Sequence, residues 1–151
     1  MSGRQMSDEK RDPEMADVAT ALALGGKDSN DYCKLADFFL ANGEAEGAEG
    51  AAEMAVTLDA ANARAWSALG AARARLKRYT LAVPAFLEAL KLAPQDITCW
   101  TDLGETYVYL MDFEHAAAAL QQALLLDPEA KDPWGRRARA IVVRVMKQLK
   151  R

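Results

Sequence analysis

The sequence predicts an all-α chain of tandem helix–turn–helix units. Two observations carry this expectation. The 151 residues include 31 alanines against 9 glycines and 5 prolines, a balance that suits close-packed helices and argues against a β-sandwich. The three tryptophans, Trp66, Trp100 and Trp134, stand 34 residues apart, with Tyr32 one step before them. A fixed period of this size marks a repeat architecture.

Many other positions keep the step. Leu69 and Gly70 recur as Leu103 and Gly104, with Leu35 and Ala36 before them. Ala48, Ala82 and Ala116 fall in register, as do Ala55, Ala89 and Ala123. Tyr79 becomes Phe113, Phe86 becomes Leu120, and Pro94 becomes Pro128.

Taken in order, residues 1–14 hold no apolar periodicity and are expected to be a disordered tail. Within 15–28, Met15 to Leu24 forms a short helical pattern stopped by Gly25-Gly26. The repeats are expected at 29–62, 63–96 and 97–130. In the best-kept one, Trp66, Leu69, Gly70 and Arg73 share one face of a first helix. Ala82, Phe86, Ala89 and Leu90 share a face of a second. Small residues at 70, 82 and 89 let the helices approach, and the large ones at 66, 69 and 86 fill what remains. A proline after each second helix stops it. Asn62 and Asp96 stand at N-cap positions. Asp132 followed by Pro133 is an N-cap with proline in the first turn. The first repeat carries Gly43, Gly47 and Gly50, so it should be the softest. Residues 131–151 begin a fourth unit and end after one helix. This capping helix sets Trp134, Ala138, Ile141, Val142, Val145 and Leu149 on one side, with Arg137, Arg144 and Lys147 towards solvent.

A 34-residue unit with Trp, Leu-Gly, Tyr, Ala, Phe, Ala and Pro at these offsets resembles the tetratricopeptide repeat. Residues 63–96 depart from the pattern only at Arg73, where tyrosine is usual. Residues 97–130 restore Tyr107 and put Leu120 in place of the aromatic. Residues 29–62 are a degenerate copy, with Tyr32, Ala36, Ala52 and Ala60 at the Trp, Gly, Phe and Pro places. The resemblance implies a right-handed superhelical solenoid in which each repeat touches mainly its neighbours.

Composition excludes several classes. Apolar residues reach 51% and charged residues 27%, enough for a core. No apolar run approaches the roughly 18 residues of a membrane span. No apolar segment near the start suggests a secretory signal. Cys33 and Cys99 are too few and too far apart for a disulfide framework, which points to a reducing cytoplasm. Both read as ordinary small residues. His115, the one histidine, reads as a surface or capping residue. No phosphate loop, metal-ligand spacing or acid–base pair is present, so neither an enzyme nor a cofactor or small-molecule substrate is expected.

The resemblance further implies that first-helix positions line a concave groove for extended or helical peptides. Carried over position by position, the first repeat supplies Asn30, Cys33, Lys34, Asp37, Leu40 and Ala41. The second supplies Arg64, Ser67, Ala68, Ala71, Ala74 and Arg75. The third supplies Thr98, Thr101, Asp102, Glu105, Val108 and Tyr109, and the last helix adds Arg136, Arg139 and Val143. Repeats that grip acidic chaperone tails use Lys and Asn, then Asn, then Lys and Arg. The matching places here hold Cys33 and Asp37, Ala68, then Thr98 and Asp102, without one cation.

Charge alternates along the chain. Residues 29–62 carry one Lys or Arg against seven Asp or Glu, and residues 63–96 carry six against two. Residues 97–130 carry none against six, and 131–151 carry eight against one. Adjacent blocks should attract one another, and they offer surfaces for a partner or for a homodimer. The acidic repeats work against a continuous phosphate-tracking surface, so neither nucleic acid nor membrane is the expected partner. The layout of three repeats, flanking helices and net acidity resembles bacterial type III secretion chaperones for translocator proteins. These hold a hydrophobic client segment in the groove. The alternative is a general scaffold or adaptor that assembles a multiprotein complex.

Overall fold

The computed structural model describes residues 28–151. The tail expected over 1–14 and the helix expected from Met15 to Leu24 lie outside the described residues. Seven helices follow one another: α1 (Ser29–Ala41), α2 (Ala45–Leu58), α3 (Ala63–Arg75), α4 (Tyr79–Leu92), α5 (Ile97–Tyr109), α6 (Phe113–Leu126) and α7 (Pro133–Leu149). They pair as α1–α2, α3–α4 and α5–α6, and α7 lies on α6. Each packs on its neighbours in sequence, which makes an all-α solenoid.

Local chemistry sets the helix ends. At α1 a reciprocal cap forms: Asp31 N–H donates to Asp28 (2.9 Å), and Asp28 N–H donates to Asp31 (3.2 Å). Asp96 accepts from Cys99 N–H, and Asp132 from Trp134 N–H, with Pro133 in the first turn. Asn62 stands at the N-cap of α3 but does not cap it. Its amide donates instead to Ser29 Oγ (2.8 Å) and Asn30 Oδ1 (3.0 Å) on α1. It therefore ties two repeats together rather than closing a helix end.

The turn inside each repeat also repeats. Gly43, Lys77 and Met111 have φ of 75°, 61° and 60°. In each, the next residue's N–H reaches back to close the helix: Glu44 to Phe39 O, Arg78 to Arg73 O and Asp112 to Tyr107 O, at 2.8, 2.8 and 2.9 Å. This is the left-handed helix stop that glycine adopts most easily. Lys77 and Met111 adopt it at a cost of roughly 1 kcal/mol each.

Packing explains the recurrent small residues. A Cβ on Gly70 would stand 2.6 Å from the Phe86 ring, and one on Gly104 would stand 2.6 Å from Leu120. Each glycine lets a first helix lie against the large side chain of its second helix. The buried core is largely alanine, with Leu69, Phe86, Leu90, Leu103 and Leu120 as its bulk. Trp66 and Trp100 are half-buried, and each indole N–H donates at 2.8 Å to the preceding inter-repeat loop, to Ala60 O and Pro94 O. These two tryptophans thus latch the second and third repeats to the loops before them.

Alternating charge becomes pairing between repeats. Arg64 pairs with Asp37, Arg78 with Glu49 at 2.6 Å, and Arg137 with Glu105 at 2.8 Å. Arg73, at the usual tyrosine place, lies 3.7 Å from Glu49 and donates to Leu81 O at 3.1 Å. Each such pair is worth little at a wet surface, but all run from a basic block to an acidic one. At the end of the chain, Ala138, Ile141 and Val145 are buried on α6. Leu149, expected on that side, is exposed in the last turn of α7. No helix among the described residues is long and apolar enough to cross a membrane.

Candidate functional site

First helices stand side by side along one face of the solenoid. α1 touches α3, and α5 touches α7, but α3 and α5 barely meet. Alanines at 71 and 74 leave the space between them open. The resulting cavity is about 360 Å³ and is lined by Ala71, Ala74 and Arg75 of α3, Lys77 and Tyr79 of the next turn, and Phe86. Its far wall is Asp102, Glu105, Thr106 and Tyr109 of α5 with Trp134 and Arg137 of α7. A second cleft of about 400 Å³ opens between α5 and α7. Val108, Met111, Phe113, Ile141 and Val145 make it mainly apolar, and Arg144 and Gln148 stand at its edge. Glu105 and Tyr109 line both spaces, so the two adjoin along α5.

Polar geometry divides the groove. Arg137 holds Glu105 with two hydrogen bonds, 2.8 and 2.9 Å, and lies 5.7 Å over the Trp134 ring. That carboxylate keeps the Arg137 guanidinium above its ordinary range. Arg75 donates to Leu40 O at the end of α1. Tyr79 and Tyr109 stack at 4.8 Å with rings nearly parallel, and Tyr109 stays 60% exposed. Burial pushes the Asp102 carboxyl up to about 7, and the nearby Glu105 charge adds to this against Arg137 and Arg75.

The residues expected to line the groove fall into three groups. The cavity gathers Ala71, Ala74, Arg75, Asp102 and Glu105, and the second cleft adds Val108 and Tyr109. Asn30, Asp37, Leu40, Arg64, Ser67 and Thr98 are exposed or half-buried on the first helices, with Lys34 and Ala41 exposed beside them. Of these, Arg64 and Asp37 pair with each other across α1 and α3.

Five expectations need correcting. Cys33 is fully buried beneath Ala55 and Ala65, because these small neighbours let the helices close over it. Ala68 is buried against Ala36, Ala51, Ala52 and Ala85. Thr101 is buried too, its hydroxyl donating to Ile97 O (2.9 Å) and Trp134 O (3.3 Å) where α7 covers it. Arg136 and Arg139 turn to the loop before α7. They donate to Lys131 O (2.7 Å) and Pro128 O (2.8 Å). Arg137, expected towards solvent, is exposed and also lines the cavity. Its register carries the signal that finds it: Leu69 and Leu103 precede Arg137 at 34-residue steps. At this place of the register the leucine is replaced by a cation, which pairs with Glu105.

The two thiols have no reactive character. Burial raises Cys33, and pushes Cys99 up to about 12, so neither is a thiolate near neutral pH. His115 is exposed, 2.7 Å from Asp112 and stacked on Tyr107. Among the described residues no group of His, Cys, Asp and Glu gathers as a metal site would require.

Two family models, both described as tetratricopeptide repeat, match residues 33–97 and 97–129. Superkiller protein 3 of Schizosaccharomyces pombe is 24% identical over 83% of this chain and 11% of its own length. The chain thus spans about a tenth of that relative. The first TPR of Spaghetti (RPAP3), solved with the HSP90 peptide SRMEEVD, superposes with a TM-score of 0.76 at 16% identity, covering 83% of this chain and 96% of that one. The TPR2B domain of yeast Sti1, solved as a pHsp70 complex, gives 0.73 at 16% identity, covering 80% and 97%.

Proposed function

We propose that this chain, which belongs to the tetratricopeptide repeat family, is a non-catalytic protein-binding module that holds a partner segment in its concave groove. One observation carries the reading. The cavity beside Ala71 and Ala74 adjoins the apolar cleft beside Val108 and Ile141, with Glu105 and Tyr109 lining both. A preformed concave path with apolar walls and a few fixed polar groups is what a peptide segment requires. The peptide-bound state of two fold neighbours supports it.

The chain is not built to read the acidic peptide of its RPAP3 neighbour. Cys33 and Ala68 are buried at two of the clamp places, and Asp37 and Asp102 put acids at two more. A carboxylate tail would be repelled there.

The narrower role is that of a holding chaperone of the kind that type III secretion uses for translocators. Support for it is layout: acidity and three repeats with a further helix packed on the last. The alternative is an adaptor within a multiprotein assembly. Ala71→Glu with Ala74→Glu tests the groove itself. The double variant should keep its melting temperature within a few degrees, because both sites are partly open, and should weaken binding of the natural partner at least tenfold. Unchanged affinity in the folded variant would move binding off the groove. Mass spectrometry of the stoichiometric partner recovered with the tagged chain separates the two roles. A secreted, membrane-active protein supports the chaperone, and a set of assembly components supports the adaptor.

A further inference from the structure

We infer that the groove selects a partner segment bearing a lysine or arginine, whose cation sits at Asp102 beside a large apolar side chain held between α5 and α7. The inference rests on the groove reading above and names the chemistry of its occupant.

Charge within the cavity is mostly accounted for. Glu105 is held by Arg137. Arg75 lies on the Leu40 carbonyl at the end of α1, where unpaired carbonyls carry partial negative charge. Lys77 is exposed on a turn, where water solvates it cheaply. Asp102 differs from all of these. Its carboxylate lines the cavity and is half-buried, yet among the described residues no side chain forms an ion pair or hydrogen bond with it. The opposite wall offers Ala71 and Ala74, which supply room. Arg75 beyond them and Arg137 on α7 act on Asp102 through space but are themselves held by Leu40 O and Glu105.

The surroundings suit a cation in a second way. Tyr109, two turns further along α5, presents an exposed ring to the same cavity and stacks on Tyr79. An aromatic ring and a carboxylate lining one cavity both attract an ammonium or guanidinium. Tyr109 also begins the apolar cleft. A basic residue at Asp102 therefore brings a neighbouring apolar residue over Val108 and Ile141. An acidic segment would instead be repelled by Asp102, while Arg75 and Arg137 are already engaged and Lys77 stands on an exposed turn.

Selection of a random phage-displayed 12-residue peptide library on the immobilised full chain tests this. Enriched peptides should carry Lys or Arg next to a large apolar residue. Asp102→Asn should abolish enrichment of the basic residue and keep the apolar one. In a selected peptide, lysine replaced by norleucine should lose about tenfold or more affinity for the native chain and less than about twofold for Asp102→Asn. That comparison holds even where the variant's stability differs. Enrichment of acidic residues, or identical selection by both chains, would overturn the cation site while leaving the groove reading intact. A library that yields no binders, or binders indifferent to Ala71→Glu with Ala74→Glu, would sink the groove reading and the cation site with it.

Discussion

Asp102→Asn should make the free chain more stable, and by more at pH 8 than at pH 5. In the folded chain the carboxyl titrates near 7 against an ordinary value of 3.8. Burial is the main cause, and Glu105 on the same helix and Asp96 at its N-cap add negative charge. Arg137 from α7 and Arg75 from α3 act in the opposite sense. A carboxyl raised on folding keeps its proton where the unfolded chain has released it. Its cost is therefore absent below about pH 4, grows between about 4 and 7, and is constant above. Fully counted, that interval is worth roughly 4 kcal/mol at about 1.4 kcal/mol per pH unit. Asp102 is still partly open to the groove, so about half of that, ~2 kcal/mol, is the reasonable expectation. Asparagine keeps the shape and removes the charge. Urea unfolding followed by circular dichroism at pH 5 and pH 8 measures the effect. The advantage of the variant over the native chain should widen by about 1 kcal/mol between the two. A constant gap, or a variant less stable at pH 8, would show that the carboxylate is well solvated or already paired.

Three further outcomes follow from packing. Gly70→Ala should destabilise by roughly 1–3 kcal/mol despite alanine's better helix propensity, because its Cβ meets the Phe86 ring; a rise in melting temperature would mean that α3 and α4 can part without cost. Pairing it with Phe86→Leu should recover part of the loss. Trp100→Ala should cost about 3 kcal/mol, since it removes ring packing in two core clusters and the hydrogen bond to Pro94 O; thermal unfolding that matches the native chain would mean the latch contributes nothing. Met111→Gly should stabilise by about 0.5–1 kcal/mol, because Met111 is 72% exposed and holds φ at 60°, and an unchanged denaturation midpoint would refute that strain.

What the 34-residue register could and could not reveal follows from physics. Gly70 against Phe86, Gly104 against Leu120 and the caps at Asp96 and Asp132 are local or in-repeat features. Identical spacing repeats identical contacts, so they are legible. Depth between repeats is different. Cys33 and Ala68 hold first-helix positions that commonly face a groove, yet alanine-rich neighbours bring the helices close enough to cover them. Packing distance depends on the side chains of two other helices, which a position rule does not contain. Asn62 shows the same limit: its spacing marks an N-cap, and its amide is taken by a neighbour 33 residues away. Arg137 is legible as a cation standing at a leucine position of the register.

Asp102 joins the stability and function arguments, because one desolvated carboxylate predicts effects of opposite sign. Removing water from it costs the free chain stability above pH 7. The same removal makes a partner's cation count, since opposite charges attract more strongly where solvent is excluded. By linkage, a ligand that binds the folded chain stabilises it, so a basic segment at Asp102 should return at least part of what folding gave up. Asp102→Asn must therefore stabilise the free chain and weaken its hold on a basic partner. A residue that served packing alone would lower both when replaced, and one idling in solvent would change neither. The two measurements together separate a binding residue from a structural one, whichever protein the partner proves to be.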